Sequence, residues 1–217
     1  MWLDWGNGSA PTIQYGRSQA NHTPRIITMK RDIGKIKYFS QDEMKRLMKI
    51  ITSRRDRAIF LIAYRHGLRA SEVGMLRVED VDLKSNRISI KRLKGSLPGL
   101  HVLQPDEVKI LKAHLTGAGI TAGPLFRGYH RQGIGRRAVD LLMKRYCRLA
   151  GLPSDKAHFH TLKHSIATHL LEAQMGIESV RDWLGHKNIE NTMIYAKLSN
   201  TTLNQTAVVA MAKLPKF

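Results

Sequence analysis

Residues 160–164 read His-Thr-Leu-Lys-His, and they begin a segment whose apolar residues recur at helical spacing as far as about residue 173. Glycine at position 176 ends this predicted helix. Two shorter helices are predicted at about 178–184 and 190–195, and the sequence Leu-Gly-His at 184–186 lies between them. The last third of the chain is therefore predicted to be a series of helices, with Tyr195 at the end of the third one.

The residues upstream predict more helices and one small sheet. Ser40 and Glu43 form a capping box, in which the hydroxyl and the carboxylate each accept a hydrogen bond from the other residue's free amide. Alternating apolar and polar residues at 87–93 predict a strand, which pairs with residues 100–103 across a turn. Further helices are predicted at about 40–51, 54–66, 71–76, 105–115 and 133–150. The expected fold class is mainly α with a small antiparallel β-sheet (α+β).

The composition favours a polyanionic partner. Of the 217 residues, 36 are Lys or Arg and 17 are Asp or Glu, which gives a formal net charge of +19. Such a surplus raises the local concentration of phosphate groups, so nucleic acid is the first candidate, ahead of an acidic membrane surface. No apolar run reaches the roughly 18 residues that a membrane span needs, and the N-terminal sequence lacks the pattern of a secretory signal. We expect a cytoplasmic protein with no membrane partner.

The helix predicted at 133–150 combines an apolar stripe with basic residues. Its buried side is predicted to consist of Ile134, Ala138, Leu141, Leu142 and Leu149. Its first turn carries arginines at 136 and 137, where the free amides of the helix also favour a phosphate. These two arginines are the best candidates for contacts with a nucleic-acid backbone. The other candidate cations are Lys91, Arg92, Arg127, Arg131, Lys144, Arg145 and Lys187.

The use of cysteine and histidine limits the metal chemistry. Cys147 is the only cysteine, which excludes an intrachain disulfide and a cysteine-based zinc finger. Histidines at 158, 160, 164 and 169 could bind zinc, but the segment brings no cysteine ligand. We therefore expect no metal and no cofactor.

The two ends of the chain differ in composition from its middle. Residues 1–37 are rich in Gly, Asn, Ser, Thr and Pro and have no apolar period, which predicts a flexible basic arm. Residues 201–217 carry a weak helical stripe and form a separate tail. The folded domain is expected between these two segments.

Six residues that are basic or nucleophilic lie in otherwise apolar, turn-flanked contexts: Arg69, Lys94, His160, Lys163, His186 and Tyr195. Each of them taken alone has an ordinary structural explanation. A cation is usually solvated, and an isolated tyrosine usually packs its ring in the core. The order and spacing of the six residues carry more information than any one of them.

Three segments together form a pattern: Gly-Leu-Arg-Ala-Ser-Glu at 67–72, His-Thr-Leu-Lys-His at 160–164, and Leu-Gly-His at 184–186, nine residues before the tyrosine at 195. In this pattern the chain resembles the tyrosine recombinase (phage integrase) family over about residues 38–200. The sequences at 66–72, 80–84 and 92–95 look most like the small fimbrial-switch inverting recombinases. The resemblance implies a tyrosine recombinase catalytic domain at 38–200.

The resemblance also implies a role for each of the six residues. Tyr195 would attack the scissile phosphorus of DNA and form a 3′-phosphotyrosine, and Arg69 would bind the non-bridging oxygens. His160 and His186 would supply hydrogen bonds or proton transfer, and Lys94 would protonate the departing 5′-oxygen. Lys91 competes with Lys94 for that last role. Because the phosphotyrosine retains the energy of the broken bond, neither ATP nor a metal is required.

The resemblance also implies the assembly, while the roles of Glu72, Trp183 and Gly185 are expected from their positions in the sequence. Recombination in this family uses a homo-tetramer on two synapsed double-stranded DNA sites, and the tail at 201–217 would dock on a neighbouring protomer. Glu72 is expected to hold Arg69 in place, and Trp183 is expected to pack in the core. His164 is expected to start the packed side of its helix and to be non-catalytic. Gly185 is expected to allow the sharp turn that directs His186 inwards.

One position departs from the family pattern. The family has His-x-x-Arg in its second motif, whereas this chain has His160 followed by Lys163. Lysine keeps the charge but lacks the planar pair of donors, and loss of one such donor costs about 10² to 10³ in rate. The sequence therefore predicts an attenuated recombinase. A DNA-binding regulator without catalysis and a type IB topoisomerase remain as alternatives, in that order.

Overall fold

The computed structural model describes residues 36–93, 95–197 and 211–212. Within these residues the chain forms eight α-helices and a three-stranded sheet. The helices are α1 (Gln41–Ile50), α2 (Arg54–Arg65), α3 (Ala70–Met75), α4 (Pro105–Ala118), α5 (Arg136–Leu149), α6 (His160–Glu172), α7 (Ile177–Leu184) and α8 (Glu190–Ala196). The strands are β1 (Val81–Asp82), β2 (Arg87–Ile90) and β3 (Gly99–Val102). This mainly α structure with a small antiparallel sheet confirms the predicted fold class.

The first helices begin and end where the sequence predicts. Ser40 Oγ accepts the amide of Glu43 at 3.2 Å, and the Glu43 carboxylate accepts the amide of Ser40 at 2.7 Å, so the capping box at the start of α1 is confirmed. After α2 the backbone turns at Gly67, whose φ of +58° lies in the left-handed region that glycine adopts without strain. This turn directs the next residues, including Arg69, away from the axis of α2.

The sheet is antiparallel, with strand order β1-β2-β3. In β2 the side chains of Ile88 and Ile90 are buried in the core, and the residues between and before them are less buried, as the alternating pattern predicts. Strand β1 was not predicted, because a strand of two residues is too short to show an alternating pattern. Of the described residues between β2 and β3, Leu93 contacts Glu72 and Ser96 contacts Arg69.

The main core lies among α1, α2, α5 and the sheet. Phe60 of α2 is fully buried and packs edge-on against Tyr146 and Phe159, with ring centroids 5.5 and 5.8 Å apart. A second, smaller cluster joins α6, α7 and α8 through Ile166, Val180 and Tyr195. The second cluster holds the last helix of the described domain against α6.

The predicted buried face of α5 is wrong in part. Leu141 and Leu149 have relative exposures of 60% and 52%, and Ala138 is also exposed. The helix instead buries Val139, Met143, Tyr146 and Cys147. Both sets of residues recur at helical spacing, so the period alone predicts a helix without saying which of its two apolar stripes meets the core.

Several predictions fall on residues that the structure does not describe. These are the flexible arm, except for its last two residues, position 94, and the tail, except for residues 211–212. Within the described residues, no helix has the length and apolar character needed to cross a membrane.

Candidate active site

Four segments supply the described residues that the sequence singles out. Arg69 lies in the turn between α2 and α3, His160 and Lys163 occupy the first turn of α6, His186 follows α7, and Tyr195 lies near the end of α8. Helix α6 packs against α2, α7 and α8. All five residues therefore come together around the N-terminal part of α6.

Arg69 is held in place but stays open to solvent. Its Nη1 donates hydrogen bonds to Glu72 Oε1 at 2.9 Å and to Ser96 Oγ at 2.8 Å, and its side chain keeps 34% of its exposure. Glu72 is fully buried and also accepts the backbone amide of Arg69. Burial alone would raise the pKa of Glu72, but the Arg69 amide and the charges of Arg92 and Lys163 outweigh it and lower the pKa. Glu72 is thus an ionised group that orients Arg69, as expected from the sequence.

Arg92 is not a surface cation, so its prediction as a phosphate contact is wrong. Its side chain has no solvent exposure. Nη1 donates to Gly67 O at 2.9 Å and to Glu72 Oε2 at 3.1 Å, and Nη2 donates to His66 O at 2.8 Å and to Trp183 O at 3.0 Å. One guanidinium therefore ties the Arg69 turn to the end of α7, which a lysine with its single donor nitrogen would not do.

Lys163 is also buried, with 1% relative exposure. Its Nζ donates a hydrogen bond to Leu184 O at 2.9 Å. Burial, followed by the positive charges of Arg92 and Arg69, lowers the pKa of Lys163 to about 7, although Glu72 opposes this shift. The ammonium of Lys163 therefore loses its proton at a much lower pH than that of a solvated lysine.

Tyr195 lies in a row of aromatic rings. Its ring is buried, with 3% relative exposure, and its hydroxyl is 2.9 Å from Nδ1 of His164. The ring of His160 is next to that of His164, with centroids 4.4 Å apart. Packing of protein around His160, followed by the charges of Lys163 and Arg69, lowers the pKa of its ring, part of which stays open to solvent. Burial, followed by the charges that His160 and Lys163 can carry, also lowers the pKa of His164, to about 3, so the tyrosine hydroxyl contacts a neutral imidazole at neutral pH.

His186 faces the same group of residues. Its ring stacks near that of Tyr195, with centroids 6.5 Å apart, and its Nδ1 is 2.9 Å from Thr192 Oγ1 of α8. Burial, followed by the charges of Lys163 and Arg69, lowers the pKa of His186 to about 3. The contact with Thr192 fixes α8 beside the histidine that precedes it.

The turn before His186 needs glycine. Gly185 has a φ of +67°, and a Cβ at this position would collide with the carbonyl oxygen of Leu97. The Leu97 amide donates to Gly185 O at 2.9 Å, and Ser96 pairs with His186 as an isolated β-bridge. The turn at Gly185 is confirmed, and it joins the β2–β3 connection to the site.

Lys94 lies outside the described residues. Its neighbours in the chain do contact the site: the Leu93 amide donates to Glu72 Oε1 at 3.3 Å, and Ser96 Oγ accepts from Arg69. Lys91, the competing candidate, pairs with Asp80 Oδ1 at 2.7 Å. The structure gives Lys91 a carboxylate partner of its own, and the role of Lys94 stays a prediction.

Sequence reasoning missed three contacts of this site. His164 was assigned to packing, but its Nδ1 meets the Tyr195 hydroxyl. Ser96 and Thr192 were not singled out, although they bond Arg69 and His186. The one available signal was the spacing of four residues from His160 to His164, which puts both rings on the same face of a helix.

Two other predictions concern residues around the site. Trp183 packs against protein as expected, because its Nε1 donates to Arg65 O at 2.8 Å and its ring stacks on His101 with centroids 4.0 Å apart. His169 bonds the Tyr64 hydroxyl at 2.7 Å, away from the other histidines of the segment. In the part of the chain that the structure describes, no three His, Cys, Asp or Glu side chains are grouped so as to hold a metal ion.

Exposed cations lie on α5. Arg136, Arg137 and Lys144 line one shallow surface together with Asp140 and Leu141. Arg136 Nε is 3.7 Å from Asp140 Oδ2, a distance at which an exposed pair contributes little to stability. These residues are therefore available to an external anion.

The comparison with protein families covers most of the chain. The sequence model described as the phage integrase family matches residues 37–202. The chain belongs to the phage integrase family. This confirms the family resemblance found in the three sequence segments.

Named relatives of this phage integrase family member are tyrosine recombinases and a fimbrial regulator. Tyrosine recombinase XerA of Thermococcus kodakarensis is 34% identical over 75% of this chain and 58% of its own length. Type 1 fimbriae regulatory protein FimE of Escherichia coli K12 is 31% identical over 75% of this chain and 86% of its own length. The chain spans about three fifths of the length of the archaeal XerA relatives that it matches.

Solved structures share the fold of this phage integrase family member. The crystal structure of XerA recombinase has a TM-score of 0.67 and 24% identity, and covers 83% of this chain and 64% of its own. The post-cleavage complex of XerH site-specific recombinase with its palindromic difH substrate has a TM-score of 0.69 and 23% identity, and covers 81% and 54%. At these identities the likeness supports the fold alone.

Proposed function

We propose that this protein is a site-specific DNA recombinase that cleaves and rejoins strands through a 3′-phosphotyrosine on Tyr195. The outcome is the integration, excision or inversion of a DNA segment. The observation that carries the proposal is the Tyr195 hydroxyl hydrogen-bonded to His164, beside a group of cations and histidines on α6, α7 and the Arg69 turn.

The arrangement of charges suits a phosphoryl transfer. The transition state of such a reaction gathers negative charge on the oxygens around phosphorus, and preorganised donors stabilise it. Arg69 offers a guanidinium that is oriented by Glu72 and still partly exposed. Burial and nearby positive charge lower the pKa of Lys163, His160 and His186. A phosphate in the site adds negative charge beside them, so it stabilises the protonated form of each.

Each step uses a residue of this chain. The Tyr195 oxygen attacks phosphorus and forms an ester, the bond to the 5′-oxygen breaks, and Lys94 donates a proton to that oxygen. Arg69 binds the non-bridging oxygens, and His160, Lys163 and His186 donate to the same phosphoryl group. The 5′-hydroxyl of a partner strand then attacks the phosphotyrosine and releases the tyrosine. No bond energy is lost between the steps, so no nucleotide or metal is needed.

The substitution at Lys163 attenuates this activity. The ammonium presents its three N–H donors from one nitrogen and gives one of them to Leu184 O, whereas arginine would present a planar fork of donors from separate nitrogens. Loss of charge near pH 7 adds to this effect. We propose that an incoming phosphate restores the proton on Lys163, so that the site becomes fully charged only on DNA.

The partner is double-stranded DNA, and the working assembly is a homo-tetramer on two synapsed sites. The charge of +19, the exposed arginines of α5 and the relatives named as recombinases support this proposal. XerH has been solved with its palindromic difH substrate. In this proposal the protein acts in the cytoplasm, where it has access to the double-stranded DNA.

The test is capture of the covalent adduct. A nicked duplex carrying the DNA that flanks the protein's own gene lets the short strand diffuse away after cleavage and traps the phosphotyrosine. We expect a protein–DNA band that resists denaturation, with the 3′ end of the broken strand attached. Tyr195→Phe removes the nucleophilic oxygen and should abolish the band.

A second candidate function is a DNA-binding regulator without catalysis. Two observations favour it: Lys163 replaces the arginine of the family motif, and Tyr195 is 97% buried in the DNA-free protein, as its 3% exposure shows. Specific binding to the same duplex with no adduct in the wild-type protein would support this candidate and reject the recombinase.

A further inference from the structure

The side chain of His164 contacts the hydroxyl of Tyr195. It lies one turn after His160 on α6, and its Nδ1 is 2.9 Å from the Tyr195 hydroxyl oxygen. The two rings are inclined at 47°, with centroids 5.6 Å apart. This is the geometry of a hydrogen bond within the distance range of proton transfer.

The charge state of His164 makes its ring an acceptor. Burial, followed by the positive charge that His160, Lys163 and His186 can carry, lowers the pKa of His164 to about 3. The ring is therefore neutral at pH 7. With its proton on Nε2, the ring presents a lone pair at Nδ1, to which the tyrosine hydroxyl donates.

We infer that His164 is a catalytic residue that accepts the proton of the Tyr195 hydroxyl as its oxygen attacks the scissile phosphate. The inference rests on the proposed recombinase function and adds a residue to it. It assigns proton removal to His164, which contacts the nucleophilic oxygen, and leaves His160 the role of a donor to the phosphoryl oxygens.

The proton balance is complete without a further reagent. In cleavage, the O–H bond of Tyr195 breaks, its proton passes to Nδ1 of His164, and the oxygen forms the bond to phosphorus. The bond from phosphorus to the 5′-oxygen breaks, and that oxygen takes a proton from a separate acid. In rejoining, the 5′-hydroxyl forms its bond to phosphorus and returns its proton to that acid, the bond from phosphorus to the Tyr195 oxygen breaks, and this oxygen takes back the proton from His164.

The substrate itself raises the basicity of His164. In the DNA-free protein, burial lowers the pKa of His164 most, and positive charge on His160, Lys163 or His186 lowers it further. A phosphodiester in the site adds a negative charge beside these groups, which stabilises the imidazolium form of His164. The base therefore gains strength only when there is a phosphate for Tyr195 to attack.

The decisive variant is His164→Asn. The asparagine carbonyl oxygen takes the place of Nδ1 and accepts the hydrogen bond from Tyr195, but it does not take up a proton. On the nicked duplex from the flanks of the protein's own gene, we expect adduct formation to slow by about 10²-fold or more. Equal DNA affinity, by fluorescence anisotropy, and an unchanged melting temperature would show that the loss is chemical.

A substrate with sulfur at the bridging 5′ position separates this role from that of the leaving-group acid. A thiolate departs without protonation, so Lys94→Ala should regain its rate on this substrate while His164→Asn stays slow. His158→Asn is the matched control, because its histidine lies in the same segment and is exposed. We expect the control to cleave at the wild-type rate.

Each result bears on one claim. Wild-type rates in His164→Asn, or its rescue by the sulfur substrate, overturn the role of His164 and leave the recombinase intact. An adduct that persists in Tyr195→Phe overturns the proposed function itself. If the asparagine variant fails to fold, His164→Ala with added imidazole replaces it: rescue of cleavage is expected, and no rescue would reject the base.

Discussion

Lys163 places a titratable amine among fixed charges. Because burial and two arginines lower its pKa to about 7, its charge changes over the range in which enzymes are assayed. The pKa of His186 lies far below this range, at about 3, and that of Glu72 is lowered. Lys163 is therefore the described cation of the site whose charge responds to a change from slightly acid to slightly alkaline pH.

The first prediction follows from this titration. At subsaturating DNA, the rate of adduct formation by the wild-type protein should fall by about tenfold between roughly pH 6 and pH 8, as Lys163 loses its proton. In Lys163→Arg the charge is permanent, so the rate should be higher and independent of pH over this interval. A rate profile that is identical in both proteins, or slower cleavage by the arginine variant, would contradict the attenuation.

The stability of the DNA-free fold should rise with pH, whereas the rate of adduct formation should fall. The pKa of Lys163 is lower in the folded state than its ordinary value of 10.5, so the unfolded chain binds more protons between these two values. The cost of burying the charge is fully present below the folded pKa and is relieved as the pH rises towards 10.5. A change of pH that stabilises the DNA-free fold thus weakens the proposed chemistry.

The sequence predicted the types of these residues better than their partners. It identified Arg69, Lys163 and Tyr195 through their motifs, and the structure brings them together around α6. It did not predict that Arg92 is buried or that His164 meets the tyrosine, because both contacts join segments far apart in the chain. Spacing along one helix shows which residues share a face, but not which residue of another segment that face meets.

Among the elements, the β2–β3 connection matters most for the site. Its residues Ser96 and Leu97 lie against the turn at Gly185, and Ser96 also bonds Arg69. A side chain at position 185 would meet both a left-handed backbone and the Leu97 carbonyl. The packing of this connection therefore depends on the absence of a Cβ.

The second prediction concerns this turn. Gly185→Ala should lower the free energy of unfolding by about 2–4 kcal/mol, because it combines backbone strain with a collision. Gly119→Ala is the control, since Gly119 also has a left-handed φ, of +58°, but a Cβ at this position would have no heavy atom within 4 Å. It should cost only about 1–2 kcal/mol. Urea denaturation measures the free energy of unfolding of both variants. An equal decrease in the two would mean that the contact with Leu97 has no energetic role.

The helices and the hairpin were predicted nearly to their ends, because caps, glycines and periods are local properties. The orientation of α5 was not, since Leu141 and Val139 belong to two apolar stripes of similar period and only the fold decides between them. The exposed stripe then leaves Leu141 beside Arg136 and Lys144 on the basic surface. The bounds of a helix can thus be predicted correctly while the prediction of its buried face is wrong.

For the molecule as a whole, charge determines how it meets DNA. The net charge of +19 predicts strong and non-specific attraction to phosphate, which falls steeply with salt as counterions are released. Lys163 and Arg92 contribute little to this attraction in the free protein, because both side chains are buried. Exposed cations such as those of α5 supply most of it.

The third prediction tests this surface. Arg137→Ala should reduce the magnitude of the slope of log affinity against log salt by about 0.9, the value for one lost phosphate contact. Lys156→Ala is the matched control, because Lys156 Nζ is 2.6 Å from Glu43 Oε2 and its charge is already neutralised. Fluorescence anisotropy over a salt series gives both slopes, and equal slopes for the two variants would exclude Arg137 from the DNA interface.

The buried guanidinium of Arg92 joins the end of α2 to the end of α7. Its bonds to His66 O, Gly67 O and Trp183 O hold the two ends in one arrangement. Helix α8 packs on the same body, since Tyr195 contacts His164 of α6 and Thr192 contacts His186. Loss of this one guanidinium would therefore loosen the Arg69 turn and the segment before His186 together, although the two are more than a hundred residues apart in the chain.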